Sequence, residues 1–376
     1  MVNVMLNTQF LYTLLVNPKL GLTLSLHEWQ NVIFVLREAK LLGSLYHTAK
    51  QASCYDDYPD YAQKHLFSAQ IYAQRQAQQI TFESLEIRAL LEQVGVTAVF
   101  LKGAGYTLRN SLNGRGRVCS DIDILVTKEN LPKAERHLKS NRWQSEQLND
   151  YDEKYYRQWA HEIPPLFQIN RATVLDMHHN VYLPISGRSP DIDLFLDSRD
   201  KTESGCFVLN PRLSLLHSII HLFTNEDSSS WMRDLFDIYL LAKEFNDDNL
   251  WEDIIELGNK TNFQFEVYCC LKALEYYSLM TLDRTSKKFI EGFEVTKRQS
   301  WILENAILPA FCPEHSLLMT NKISRAKNLA YLRGHWIKMP LGVLIKHFTF
   351  KSFFAVRDQI VGKHHFDPKL PDNPNW

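Results

Sequence analysis

Asp121 and Asp123 stand two apart in the run Asp121-Ile122-Asp123-Ile124-Leu125-Val126. A short apolar run of this kind reads as a buried strand. Successive strand side chains alternate faces, so both carboxylates project the same way. Two like charges on one face repel each other unless a cation joins them. Magnesium, which prefers hard oxygen ligands, is the natural partner. Ile122, Ile124, Leu125 and Val126 are left to fill the core. Upstream, VGVTAVFLKG at residues 94–103 is a second short run, β-branched and aromatic, that ends in Gly103. It predicts a strand and then a turn, where a glycine lets backbone N–H groups approach a phosphate closely. Lys102 and Arg117 supply positive charge to the same neighbourhood.

These residues need a scaffold, and the surrounding pattern predicts one of α+β class. Residues 95–185 read as strand, helix (AGYTLRNSL), Gly/Arg loop, strand, amphipathic helix (LPKAERHLKS, with Pro132 near its start) and an antiparallel pair around EIPPLFQI and ATVLDMHHNV. Asn170-Arg171 suits the turn of that pair. On either side the texture is helical. Ser25 with Glu28 three residues on reads as a capping box, and Pro59 to Glu92 favours one long helix or two. Beyond Pro211, RLSLLHSIIHLF, WMRDLFDIYLLAKEF and FQFEVYCCLKALEYYSL are three further helices. The reading divides the chain into a helical N-terminal region (1–94), a small mixed sheet flanked by helices (95–210) and a helical C-terminal region with a basic tail (211–376).

Composition excludes several classes. The 376 residues are 45% hydrophobic and 23% charged, enough for a sizeable core and too apolar for bulk disorder. Lys plus Arg is 42 against 43 for Asp plus Glu, so whole-chain electrostatics are not the means of binding. Six cysteines without a CxxC pair argue against a zinc ribbon or a thioredoxin-like site. The apolar N-terminal run lacks a basic lead and reads as a helix of the mature protein, and no apolar stretch is long enough to span a bilayer. A reduced, cytoplasmic protein is the expectation. The stretch 321–368 is rich in Lys and Arg, with Asp358 and Asp367 as its acids. It reads as a terminal helix with a solvated face, with peripheral membrane or nucleic-acid contact as the alternative.

A glycine turn, a helix and a strand bearing Ser120-Asp121-Ile122-Asp123 resemble the DNA polymerase β-like nucleotidyltransferase superfamily. Within it the chain is similar to an uncharacterised bacterial nucleotidyltransferase family. Leu101-Lys102-Gly103, Arg117, Ser120 to Asp123 and Leu125-Val126 carry the likeness, with Asp176-Met177-His178 as a later D-x-H motif. Arg233 and Asp237-Ile238-Tyr239-Leu240-Leu241 match a helix of the same family, and the likeness spans roughly 25–340. Ala104 departs from the serine or glycine usual after the turn glycine; it offers an N–H but no hydroxyl.

The resemblance implies transfer of an NMP group from an NTP to a hydroxyl, with release of pyrophosphate. Asp121, Asp123 and Asp176 would hold two magnesium ions, with Asp176 also the general base. Lys102, Gly103, Arg117, Ser120 and His178 would serve the nucleotide or orient the acceptor. The acceptor is open: small molecule, peptide, protein or glycan. No RRM, KH or helix-turn-helix signature accompanies the site, so no templated nucleic acid is expected. The competing reading is a non-catalytic nucleotide-binding or toxin–antitoxin-type module on the same fold. One expectation about stability follows: relief of like-charge repulsion in Asp123→Asn would leave the fold intact or slightly more stable.

Other polar residues carry plainer readings. Asp191-Ile192-Asp193 has no glycine turn upstream and reads as solvated. His217 and His221 are i, i+4 without the glutamate of a metalloprotease motif, so they read as core or cleft-lining. Arg233 and Asp237 are also i, i+4 and read as a helix ion pair that fixes the C-terminal helices. Cys119 reads as a bystander.

Overall fold

The computed structural model describes residues 6–145, 148, 150–346 and 348–350. Seven short strands form one mixed sheet: β1 (Val99–Phe100), β2 (Asp121–Leu125), β3 (Trp143–Ser145), β4 (Leu166–Gln168), β5 (Val174–His178), β6 (Arg199–Lys201) and β7 (Phe207–Leu209). Their order is β3-β4-β5-β2-β1-β7-β6. β2 and β5 run parallel at the centre, with Asp123 opposite Asp176 and Asp121 opposite Val174. β1 lies antiparallel to β2 and parallel to β7. The fold is α+β, as the sequence implies, and β4 and β5 form the expected hairpin.

The alternation of β2 divides the core. Ile122 and Ile124 face one way, into a cluster with Phe100, Leu138, Trp143, Leu175 and Met177. Leu125 faces the other way, with Val99, Leu101 and Leu209, into a larger cluster built from the N- and C-terminal helices. The segment after Pro59 is a single helix, Asp60–Gln93. At about 1.5 Å per residue it is long enough to serve both clusters. Ala62 and Leu66 near its start join the larger one, and Ile80, Ile87 and Leu91 near its end lie under the sheet. Ser25 and Glu28 close the capping box of Leu26–Glu38, with the Ser25 N–H donating to Glu28 at 2.8 Å. The Tyr12 hydroxyl donates to the Met232 carbonyl at 3.1 Å, so the two helical regions share a core.

Three features differ from the sequence reading. β1 is only two residues long, and the helix Lys102–Arg109 starts before Gly103 rather than after it. β3, β6 and β7 are additional strands, each of three residues, too short to show a period. The helix Leu250–Lys260 stands between the predicted Trp231–Glu244 and Gln264–Tyr276. The basic stretch has a solvated face, with Lys322, Arg325 and Lys346 exposed, but three of its cations turn inward. In the helix Asn321–Lys338, Lys327 is buried and reaches Ser228 Oγ at 3.2 Å, Arg333 donates to the Phe223 carbonyl at 2.6 Å, and Lys338 pairs with Glu226. Lys351, Arg357 and Lys363 lie outside the described residues. No described helix is long and apolar enough to cross a membrane. All six cysteines are buried thiols.

Candidate active site

A cavity of about 310 Å³ opens where the ends of β1 and β2 meet the helices Pro211–Thr224 and Trp231–Glu244. Lys102, Gly103, Arg117, Ser120, Asp121 and Asp123 line it, joined by Lys40, His221, Asn225, Ser229, Arg233 and Asp234. Its size lies at the lower end of the range for small-molecule sites. A larger cavity, about 730 Å³, lies among the helices Gln264–Tyr276, Lys297–Ile302 and Asn321–Lys338. Its walls are mainly apolar, and its carboxylate, Glu266, is already bound by Arg188 at 2.8 Å. The chemistry therefore points to the smaller cavity.

Asp123 is the centre of the site and is 5% exposed. Its Oδ1 accepts from Lys102 Nζ at 3.0 Å and lies 2.9 Å from His178 Nε2. Burial would raise its pKa, but the Lys102 ammonium and the His178 hydrogen bond outweigh burial and hold the carboxyl well below its ordinary value. Lys102 reaches this position from a left-handed backbone, φ 42°, at the first turn of its helix. A non-glycine residue there costs about 1–3 kcal/mol and persists only where its surroundings hold it.

Asp176 stands beside Asp123 in parallel register and so on the same face of the sheet. One of its oxygens, Oδ1, is buried with no hydrogen-bond partner. Burial, then the charges of Asp123 and Glu162, push its pKa up to about 7. An orphaned buried carboxylate oxygen next to a second carboxylate is the pattern a divalent cation resolves, and all-oxygen donors suit magnesium. The residues present therefore fit the implied ion. Asp121 stands at the rim, half-buried, with the Ser120 hydroxyl donating to its Oδ1 at 3.2 Å. Asp176 and His178 lie beside Asp123 and do not line the cavity.

Arg117 is placed differently from the expectation. Its Nε donates to Asp237 Oδ2 at 2.8 Å, and Asp234 lies 3.9 Å from its Nη2. Arg233 pairs with its neighbour Asp234 at 2.9 Å. The Arg233–Asp237 ion pair is therefore replaced by a quartet at the cavity wall, with Asp237 buried and the other three partly exposed, in which each arginine has an acid. Burial lifts Asp237 to about 6 against the pull of Arg117. Gly103 also has a different reason from the one its turn position suggests. A Cβ there would lie 2.4 Å from Cys119 Sγ and 2.6 Å from Arg117 Nη1, so the residue must be small because side chains from the β2 approach fill the space.

The remaining sequence candidates separate cleanly. Asp191 accepts from the Asp193 N–H at 3.1 Å just before the short helix Asp193–Asp197, and both residues are exposed. His217 is buried in the core and His221 lines the cavity. Cys119 donates its thiol to the Asp121 carbonyl at 3.1 Å and packs under Gly103. Sequence reasoning missed Glu162, whose Oε2 lies 3.4 Å from His178 Nδ1, and Lys40 at the cavity wall. Neither sits in a motif, and only tertiary contact brings them in.

The chain belongs to the family described as uncharacterised nucleotidyltransferase, whose model matches residues 25–277. That range contains every member of the carboxylate site and of the arginine quartet. No curated protein matches the chain.

Proposed function

We propose that this nucleotidyltransferase moves an NMP group from an NTP to a hydroxyl acceptor at the Asp121–Asp123–Asp176 face, with magnesium as its cation. The observation that supports the reading best is the in-register Asp123–Asp176 pair with its buried, unpartnered Oδ1. Magnesium held by the three aspartates would neutralise the triphosphate and make the acceptor hydroxyl more acidic. The N-terminal N–H groups of the helix Lys102–Arg109, opening onto the cavity at Gly103, suit phosphate oxygens. Lys102 and Lys40 add positive charge around the leaving pyrophosphate. A bond forms between the acceptor oxygen and the α-phosphorus, and the bond from that phosphorus to the β-bridging oxygen breaks. The hydroxyl proton passes to Asp176, the half-buried base on the same face. Arg117 serves as a strut, because Asp237 already engages it.

The test is incubation of the full chain with each α-labelled NTP and a cell lysate, with and without magnesium. Labelled acceptor that requires magnesium and disappears in Asp176→Asn supports the reading. Labelling that persists in that variant removes the chemistry from this face.

A further inference from the structure

On the far side of His178 from Asp123, a second set of donors converges. His161, Glu162 and His178 each offer one ligand atom, and these atoms all lie within 4.8 Å of one another. His178 Nδ1 and Glu162 Oε2 are 3.4 Å apart. Bonds of about 2.0–2.1 Å to a tetrahedral zinc-class ion place neighbouring ligand atoms roughly 3.3–3.5 Å apart. The spacing of this pair is therefore already that of two ligands on one ion. The His161 and His178 ring centroids are 5.1 Å apart, and His161 Nδ1 is buried with no hydrogen-bond partner.

The backbone holds the three donors in place. Glu162 pairs with His178 in an antiparallel bridge. On one side the Ile163 N–H donates to the Met177 carbonyl at 3.1 Å, and on the other the His179 N–H donates to the His161 carbonyl at 2.7 Å. The donor set also differs in kind from the aspartate face. Two imidazoles and one carboxylate suit zinc-class ions, whereas three carboxylates suit magnesium. The other nitrogen of His178, Nε2, lies 2.9 Å from Asp123 Oδ1. A metal-bound histidine commonly donates its free N–H to a carboxylate, which fixes its tautomer.

We propose that His161, Glu162 and His178 form a second cation site, for one zinc-class divalent ion with an open fourth position. His178 Nδ1 ligates the ion, and its Nε2–H donates to Asp123. An ion held here is a positioning metal: it fixes His178 and through it the orientation of Asp123. The proposal goes beyond the magnesium reading and does not depend on it, since Asp121 and Asp176 are not ligands of this ion.

The test is titration of the full, chelator-treated chain with Co²⁺, read by visible absorption. One equivalent should give the intense bands of four-coordinate Co²⁺, removed by Zn²⁺ and unaffected by excess Mg²⁺. Glu162→Gln, which keeps the shape of the side chain, and His161→Ala should each weaken binding at least 100-fold. Asp121→Asn should leave the bands unchanged, and Asp123→Asn should weaken binding by about 10–100-fold as an outer partner is lost. The proposal is overturned by the absence of four-coordinate bands, by bands that survive in Glu162→Gln, or by their loss in Asp121→Asn, which would place the ion among the aspartates.

Discussion

Two charged clusters meet near one cavity, and their charge balance separates them. In the quartet, Arg117 and Arg233 are matched by Asp234 and Asp237, with contacts of 2.8 Å and 2.9 Å at its two ends. Its charges are satisfied within the protein. In the other cluster, Asp121 and Asp123 line the cavity with Lys102, while Asp176, Glu162 and His178 lie beside them outside its walls, and one carboxylate oxygen of Asp176 is buried with no partner. A closed network stabilises the fold against unpaired charge, whereas an unbalanced one marks the place where a ligand's charge belongs. Matching the residue types alone would have treated Arg117 and Asp123 as equal members of one site.

The largest difference between the two clusters is expected at Asp123. Asp123→Asn is expected to lower nucleotidyl transfer by several orders of magnitude, measured as magnesium-dependent labelling. It is also expected to lower stability by about 3–5 kcal/mol in a denaturant titration, because the Lys102 ammonium loses its partner. This reverses the sequence-based expectation that the substitution would leave the fold intact or slightly more stable. Lys102 and His178 already offset the charge of Asp123, and the like-charge strain falls on Asp176 instead. Asp237→Asn should cost less stability than Asp123→Asn, because burial already disfavours the Asp237 charge and Arg117 keeps Asp234 nearby, and it should retain more activity.

Asp176 sharpens the comparison through pH. Its folded pKa of about 7 is above the unfolded value near 3.8, so the folded state binds more protons between those limits. The contribution of Asp176 to the stability of the metal-free protein should therefore fall as pH rises from about 4 to about 7, by on the order of a few kcal/mol, against an opposite slope from His217 and His221, which burial holds neutral. Asp237, at about 6, adds a slope of the same sign. Subtracting the melting profile of Asp176→Asn from that of wild type isolates the Asp176 part, and the variant should be as stable as wild type or more so at pH 7. A smaller effect belongs to Gly103→Ala. Its added Cβ overlaps Cys119 and Arg117, and thermal melting should show a loss of about 1–3 kcal/mol.

The legible parts of this molecule are the ones with local signals. Period-2 alternation placed Asp121 and Asp123 on one face, Ser25 and Glu28 announced their capping box, and Asn170-Arg171 lies in the connection of the β4–β5 hairpin. The resemblance carried Asp176 and His178 to the strand beside Asp123. Pairings across long stretches of chain were not legible. Arg117 and Asp237 are 120 positions apart, so the i, i+4 rule offered Arg233 as the partner in their place. Lys102 could not be read as left-handed either, because a glycine next to it offered the cheaper explanation of the turn. Glu162 had no motif, since a single cross-strand bridge brings it to His178.

The central claim is that the Asp123–Asp176 face awaits a hard divalent cation carrying a nucleotide. Calorimetric titration of the full chain with a non-hydrolysable NTP analogue, with and without magnesium, tests it most directly. Tight binding that requires magnesium is expected in wild type, and its loss in Asp176→Asn while that variant keeps its fold. Binding of equal strength in wild type and Asp176→Asn, or binding indifferent to magnesium, would contradict it.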